Sequence, residues 1–161
     1  MKTYLKNRLA RDFMTREVIS VEKGTSVHEI YRLFLKKNIM GVPVVDKDGL
    51  VMGMVTERDL SVREEEIKTP ASVNLLGSIV YLEDMDKYND HLKKKMGQLA
   101  VDVMSSPAKT LREDAPIGEV LEFMDNERIN RVPITDANNR LCGIVTRTDI
   151  IKELIREKRD K

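Results

Sequence analysis

The chain is poor in the residues that proteins use for several specialised tasks. It has no tryptophan, 4% aromatic residues and a single cysteine, Cys142, in 161 residues. One thiol cannot form an internal disulfide, so packing must hold the fold together. The two histidines, His28 and His91, have no metal-ligand spacing, and no Gly-x-Gly-x-x-Gly, P-loop or histidine-activated nucleophile pattern occurs. This argues against an enzyme and gives no metal site and no catalytic residue. The longest apolar-looking run, residues 75–82, is far too short for a bilayer span, and the N-terminal residues lack the apolar stretch of a secretory signal. The expectation is a cytoplasmic protein without a membrane partner. Basic and acidic residues, 28 against 27, nearly cancel at a net charge of +1, so no global field draws the chain to nucleic acid.

What the chain does have is one motif twice. Gly53-Met54-Val55-Thr56-Glu57-Arg58-Asp59 returns as Gly143-Ile144-Val145-Thr146-Arg147-Thr148-Asp149, and the same offset pairs residues 9–60 with 99–150 without a gap. Identities include Leu9/Leu99, Asp12/Asp102, Met14/Met104, Glu29/Glu119, Pro43/Pro133 and Asp46/Asp136. A repeat this short buries too little surface to be stable alone, so it is expected to pack against its copy and to place functional sites at the seam.

Each copy reads as strand, helix, strand, strand, helix, an α/β (α+β) pattern. In the first copy, residues 18–21 form a short strand, and Thr25-Ser26 with Glu29 is an N-cap signal for a helix ending near Asn38. Val27, Ile30, Tyr31 and Phe34 have the spacing of one buried face, repeated as Ile117, Val120, Leu121 and Met124 behind Pro116. Strands follow at 42–45 and 51–55, joined by a turn over residues 46–49, with counterparts at 132–135, 136–139 and 141–145. A final helix over 149–158 carries Ile150, Ile151, Leu154 and Ile155 on one side. Residues 61–98 have no counterpart. They are too apolar in the middle to be a disordered linker, end in a charged helical pattern over 84–96, and are expected to pack on the core or help build a dimer surface.

The Thr-x-x-Asp element lies where a strand hands over to a helix, and it is a helix capping box in its own right. It is also chemically suited to a nucleoside. A carboxylate there can accept both ribose hydroxyls, a helix N-terminus and threonine hydroxyl suit phosphate oxygens, and Gly53 and Gly143 inside strands suggest close approach to the backbone.

With Asp12-Phe13-Met14 and Asp102-Val103-Met104, and with Val42-Pro43-Val44-Val45-Asp46 and Val132-Pro133-Ile134-Thr135-Asp136, the duplicated motif resembles a tandem pair of CBS domains, a Bateman module. The resemblance covers everything outside 61–98, giving a first domain at 9–60, an inserted connector at 61–98 and a second domain at 99–158; residues 69–77 resemble an insert of some stand-alone members. It implies two pseudo-symmetric halves packed together, with AMP, ADP, ATP or S-adenosylmethionine bound in clefts between them. AMP is the first expectation, as a regulatory ligand and not as a catalytic cofactor. Cleft one would use Met54, Thr56, Arg58 and Asp59 with Ala108, Lys109 and Arg131. Cleft two would use Ile144, Thr146, Thr148 and Asp149 with Val18, Ile19 and Gly41. The aspartates would hold ribose and the apolar strand residues adenine. Because Arg58, Lys109 and Arg131 align with Thr148, Ile19 and Gly41, cleft one is expected to favour phosphorylated ligands.

The resulting expectation is an energy-sensing regulatory module that pairs through its helices into a homodimer and signals to a protein target the sequence does not name. The competing class is a scaffolding or nucleic-acid-binding protein without nucleotide sensing. The basic run Lys93-Lys94-Lys95 is its main support, and it reads more simply as a solvated helix face.

Overall fold

The computed structural model describes residues 8–61, 70–75, 78–82 and 84–159. The charged stretch at 63–68, the N-terminal residues 1–7, and Thr69, Leu76 and Gly77 of the insert-like segment lie outside the described residues.

The element order follows the repeat. Copy one contributes α1 (Ala10–Phe13), β1 (Val21–Glu22), α2 (Val27–Lys37), β2 (Gly41–Val45), β3 (Val51–Thr56) and α3 (Glu57–Ser61). The segment between the copies forms β4 (Ser72–Leu75), β5 (Ser78–Tyr81) and α4 (Met85–Met96). Copy two repeats the pattern as α5 (Ala100–Val103), β6 (Leu111–Arg112), α6 (Ile117–Asn126), β7 (Arg131–Thr135), β8 (Leu141–Thr146) and α7 (Arg147–Arg159). Two three-stranded sheets result, ordered β1-β2-β3 and β6-β7-β8, with a separate β4-β5 hairpin. The first strand of copy one is shorter and later than expected, because residues 18–20 join no ladder.

Local chemistry accounts for the boundaries. Ser26 accepts the Glu29 N–H at 3.2 Å while Glu29 takes the Ser26 N–H at 3.1 Å, a closed capping box that starts α2. Asn38 at φ 51° ends it in the left-handed conformation. At both hairpins an aspartate accepts from the backbone two and four residues on: Asp46 from Asp48 and Leu50, Asp136 from Asn138 and Arg140. The positive φ each turn needs falls on Gly49 in one copy and Asn139 in the other.

The chain divides into two units, and each takes residues from both repeats. The first comprises Met1–Ser20, Val45–Gly53 and Ser106–Lys161; the second comprises Val21–Val44 and Met54–Ser105. In the first unit, the opening helix of copy one docks on copy two. Ala10 and Arg11 donate to Ala115 and Glu113 at 2.8 and 2.9 Å, and α1 packs on β8 and α7. In the second unit the mirror exchange occurs: Ala100 and Val101 donate to Thr25 and Lys23 at 2.8 and 3.1 Å, and α5 packs on α2 and α4.

The first unit's core contains Ala10, Met14, Ile117, Val120, Met124, Val132, Ile134, Val145 and Ile150. In the second unit Val27, Ile30, Phe34, Val42, Val44, Val55, Leu60, Ala100 and Val103 are buried. Most of both helical stripes is therefore consumed inside the units, and Tyr31, at the edge of its stripe, instead donates its hydroxyl to the Leu60 carbonyl. The final helix differs from its periodicity. Ile150 and Glu153 point inward, where Glu153 accepts from Arg8 at 2.8 Å and Arg156 at 2.9 Å, and Ile151, Leu154 and Ile155 stay exposed. In the segment between the copies Val73, Ile79, Tyr81 and Leu82 are exposed.

Candidate functional site

Each Thr-x-x-Asp element sits at a direct passage from strand to helix, β3 into α3 and β8 into α7, with no loop between. In both copies the aspartate turns back on its threonine. Asp59 Oδ2 accepts the Thr56 N–H at 2.9 Å and hydroxyl at 2.7 Å, and Asp149 Oδ2 accepts those of Thr146 at the same distances. The capping reading of the motif is thus realised, and it fixes one carboxylate oxygen while leaving the other to face elsewhere.

The second oxygen separates the copies. Asp59 Oδ1 accepts Lys94 Nζ at 2.9 Å and Ser105 Oγ at 2.8 Å; Lys94 also donates to Ser105 Oγ at 3.1 Å. Asp59 is buried and Lys94 half-buried, their side chains being 8% and 15% exposed. Burial pushes the Asp59 carboxyl up, but hydrogen bonds from Lys94, Thr56 and Ser105 together with the Lys94 charge outweigh it and hold the group below its ordinary 3.8. Asp149 Oδ1 accepts no hydrogen bond among the described residues and has Lys152 Nζ only at 3.9 Å. It lines a recess of about 270 Å³ with Asp12, Met14, Lys152 and Arg156.

The strand residue two positions before each threonine is paired across. Ile144 and Thr15 exchange both backbone hydrogen bonds at 2.9 Å in the first unit, and Val18 and Ile19 follow Thr15 in the chain. Met54 and Ser105 make the equivalent exchange, at 3.1 and 2.9 Å, in the second unit. Val18, Ile19 and Ile144 are half-buried and Thr148 is exposed, all in the first unit with Thr146 and Asp149; Gly41 belongs to the second. Of the other set, Met54, Thr56, Arg58 and Asp59 belong to the second unit, and Ala108, Lys109 and Arg131 to the first. Lys109 is not an unengaged cation, since it forms an ion pair with Glu127.

Two inferences from sequence need correction. The glycine at 143 does not leave room for a visitor, because the Met14 side chain fills the space: a Cβ there would lie against its Sδ and 2.7 Å from its Cγ. Lys94 is not part of a solvated face. The signal that could have singled it out is that α4 places Lys94 three residues before the helix-ending Gly97, within reach of the copy-two segment that carries Ser105. Cys142, half-buried, donates weakly to the Ile134 carbonyl at 3.4 Å, and burial pushes its thiol up, as suits an inert strand residue. Among the described residues no helix is long and apolar enough to cross a membrane.

Residues 10–63 and 100–156 each match the CBS domain, and the chain belongs to the CBS-domain family as a tandem pair. It is 28% identical over 154 residues to an uncharacterized protein of Methanocaldococcus jannaschii, with 91% of each chain covered. The chain spans 92% of the length of one curated relative, 38% of a second and 23% of a third. The crystal structure of CBSX2 from Arabidopsis thaliana in complex with AMP is similar at a TM-score of 0.77 and 23% identity, covering 93% of this chain and 98% of that one. The CBS domain pair of protein MJ0100, in complex with 5′-methylthioadenosine and S-adenosyl-L-methionine, is similar at 0.68 and 23%, covering 93% and 98%. These likenesses establish the fold.

Proposed function

We propose that this protein is a regulatory module that binds adenosine-containing ligands at its Thr-x-x-Asp junctions and passes on their occupancy as a conformational change. The observation that carries the reading is the Asp149 carboxylate, anchored through Oδ2 to Thr146 and with Oδ1 accepting no hydrogen bond among the described residues, at the start of a 13-residue helix. Oδ1 has the lone pairs to accept two vicinal ribose hydroxyls, and the helix N-terminus favours a phosphate. Ile144, Val18 and Ile19, in the same unit as Thr146, Thr148 and Asp149, offer apolar surface for adenine. Met54, Thr56, Arg58 and Asp59 hold the equivalent positions of the other unit's junction. Support comes from the adenosyl ligands carried by the two similar CBS-pair structures. No catalytic step is assigned to the chain. A ligand drives the change only by its differential affinity for the two arrangements.

A thermal-unfolding panel of AMP, ADP, ATP, 5′-methylthioadenosine and S-adenosylmethionine tests the reading. A ligand present at about 100 times its dissociation constant stabilises the fold by roughly 2.7 kcal/mol. An unchanged midpoint with every adenosyl compound at millimolar concentration would overturn it.

A further inference from the structure

The two motif aspartates differ in what they can still accept. A carboxylate offers about four lone-pair positions. Asp59 has four donors on it, the Thr56 N–H and hydroxyl on Oδ2 and Lys94 Nζ and Ser105 Oγ on Oδ1. Among the described residues Asp149 accepts two hydrogen bonds, both from Thr146, with Lys152 Nζ standing off Oδ1 at 3.9 Å. Lys94 comes from α4, in the segment that has no counterpart in the other repeat, whereas Ser105 belongs to copy two, so the charged half of the difference is built in by the insert.

We propose that Lys94 occupies on Asp59 the place that a ligand's ribose hydroxyls would take, so that the chain's own insert closes the first motif and leaves the second as the open site. This rests on the adenosyl-binding reading and reverses the order that the charges of Arg58, Lys109 and Arg131 suggest. The reason is that a ligand at the first motif must displace a half-buried ammonium and a hydroxyl, each already at 2.8–2.9 Å. Closure acts as a population factor. If Lys94 is off Asp59 about one time in a hundred, the apparent dissociation constant there is about 100-fold weaker than that of the open form. Linkage makes the effect reciprocal. Any partner that draws α4 away opens the first motif, and a ligand forced into it releases α4. The insert thereby gains a role as the control element of one site.

Calorimetric titration of the full chain with AMP separates the possibilities. The wild-type chain is expected to bind one AMP, Asp59→Asn to keep it, Lys94→Met to bind two, and Lys94→Met combined with Asp59→Asn to return to one. Two sites in the wild type, loss of binding in Asp59→Asn, or a folded Lys94→Met that still binds one would each overturn the proposal while leaving adenosyl binding in place. Should Lys94→Met fail to fold by circular dichroism, the Asp59→Asn arm decides alone: retention supports closure and loss refutes it. Absence of AMP, methylthioadenosine and S-adenosylmethionine binding in every variant would instead remove the underlying reading, and the proposal with it.

Discussion

Replacing Asp149 by alanine should separate binding from folding. The ligand would lose two hydroxyl-to-carboxylate hydrogen bonds, each worth about 1.5–2 kcal/mol because the acceptor is charged. Together these amount to roughly 3–4 kcal/mol, or a 100- to 1000-fold weaker dissociation constant at about 1.4 kcal/mol per factor of ten. The fold loses less. Asp149 Oδ2 also takes the Thr146 N–H and hydroxyl at 2.9 and 2.7 Å, so the variant forfeits a helix cap, about 1 kcal/mol. For a chain of this size that lowers the unfolding midpoint by about 2–4 °C. Titration calorimetry at 25 °C, with thermal unfolding alongside, reads both quantities. A variant that unfolds within a few degrees of wild type yet binds AMP within threefold of it would refute the assignment of ribose to Asp149.

Two further outcomes concern the fold. Lys94→Met leaves the buried Asp59 carboxylate without its counter-charge and should cost about 2 kcal/mol, seen as a lower denaturation midpoint; a change below about 0.5 kcal/mol would mean the pair is not formed in solution. Because the Asp59 carboxyl is held below 3.8 when folded, its contribution is complete well above 3.8 and is lost as pH falls through 3.8 to the lowered value, so the stability gap between wild type and Asp59→Asn should stay constant from pH 7 to about 5 and shrink below. Gly143→Ala should destabilise by about 1–3 kcal/mol by colliding with Met14, and adding Met14→Ala should relieve the collision but not the lost packing; an unaffected single variant would show the contact is loose.

Much of the secondary structure was legible because it rests on local rules. The Ser26/Glu29 box, the Asp46 and Asp136 turns and the β3-to-α3 and β8-to-α7 junctions all depend on residues a few positions apart, and the repeat doubled each signal. What escaped was non-local. Periodicity cannot say that α1 docks on the other repeat's β8, since a four-residue helix carries no stripe of its own. It cannot say that Glu153 turns inward past three aliphatic residues, because that depends on Arg8 reaching it from the far end of the chain. For the same reason Gly143 looked like room for a ligand until Met14 was placed on it. At the candidate site the motif itself was visible, and the difference between its copies was not: Lys94 lies 35 residues from Asp59 in sequence and in a segment that the repeat comparison leaves unaligned.

The most direct test of the account is a crystal structure of the chain grown with AMP. The account predicts that both ribose hydroxyls lie within hydrogen-bond distance, about 2.5–3.0 Å, of Asp149 Oδ1, with the Lys94–Asp59 pair intact. AMP bound away from Thr146 and Asp149, or seated on Asp59 with Lys94 undisturbed, would contradict it.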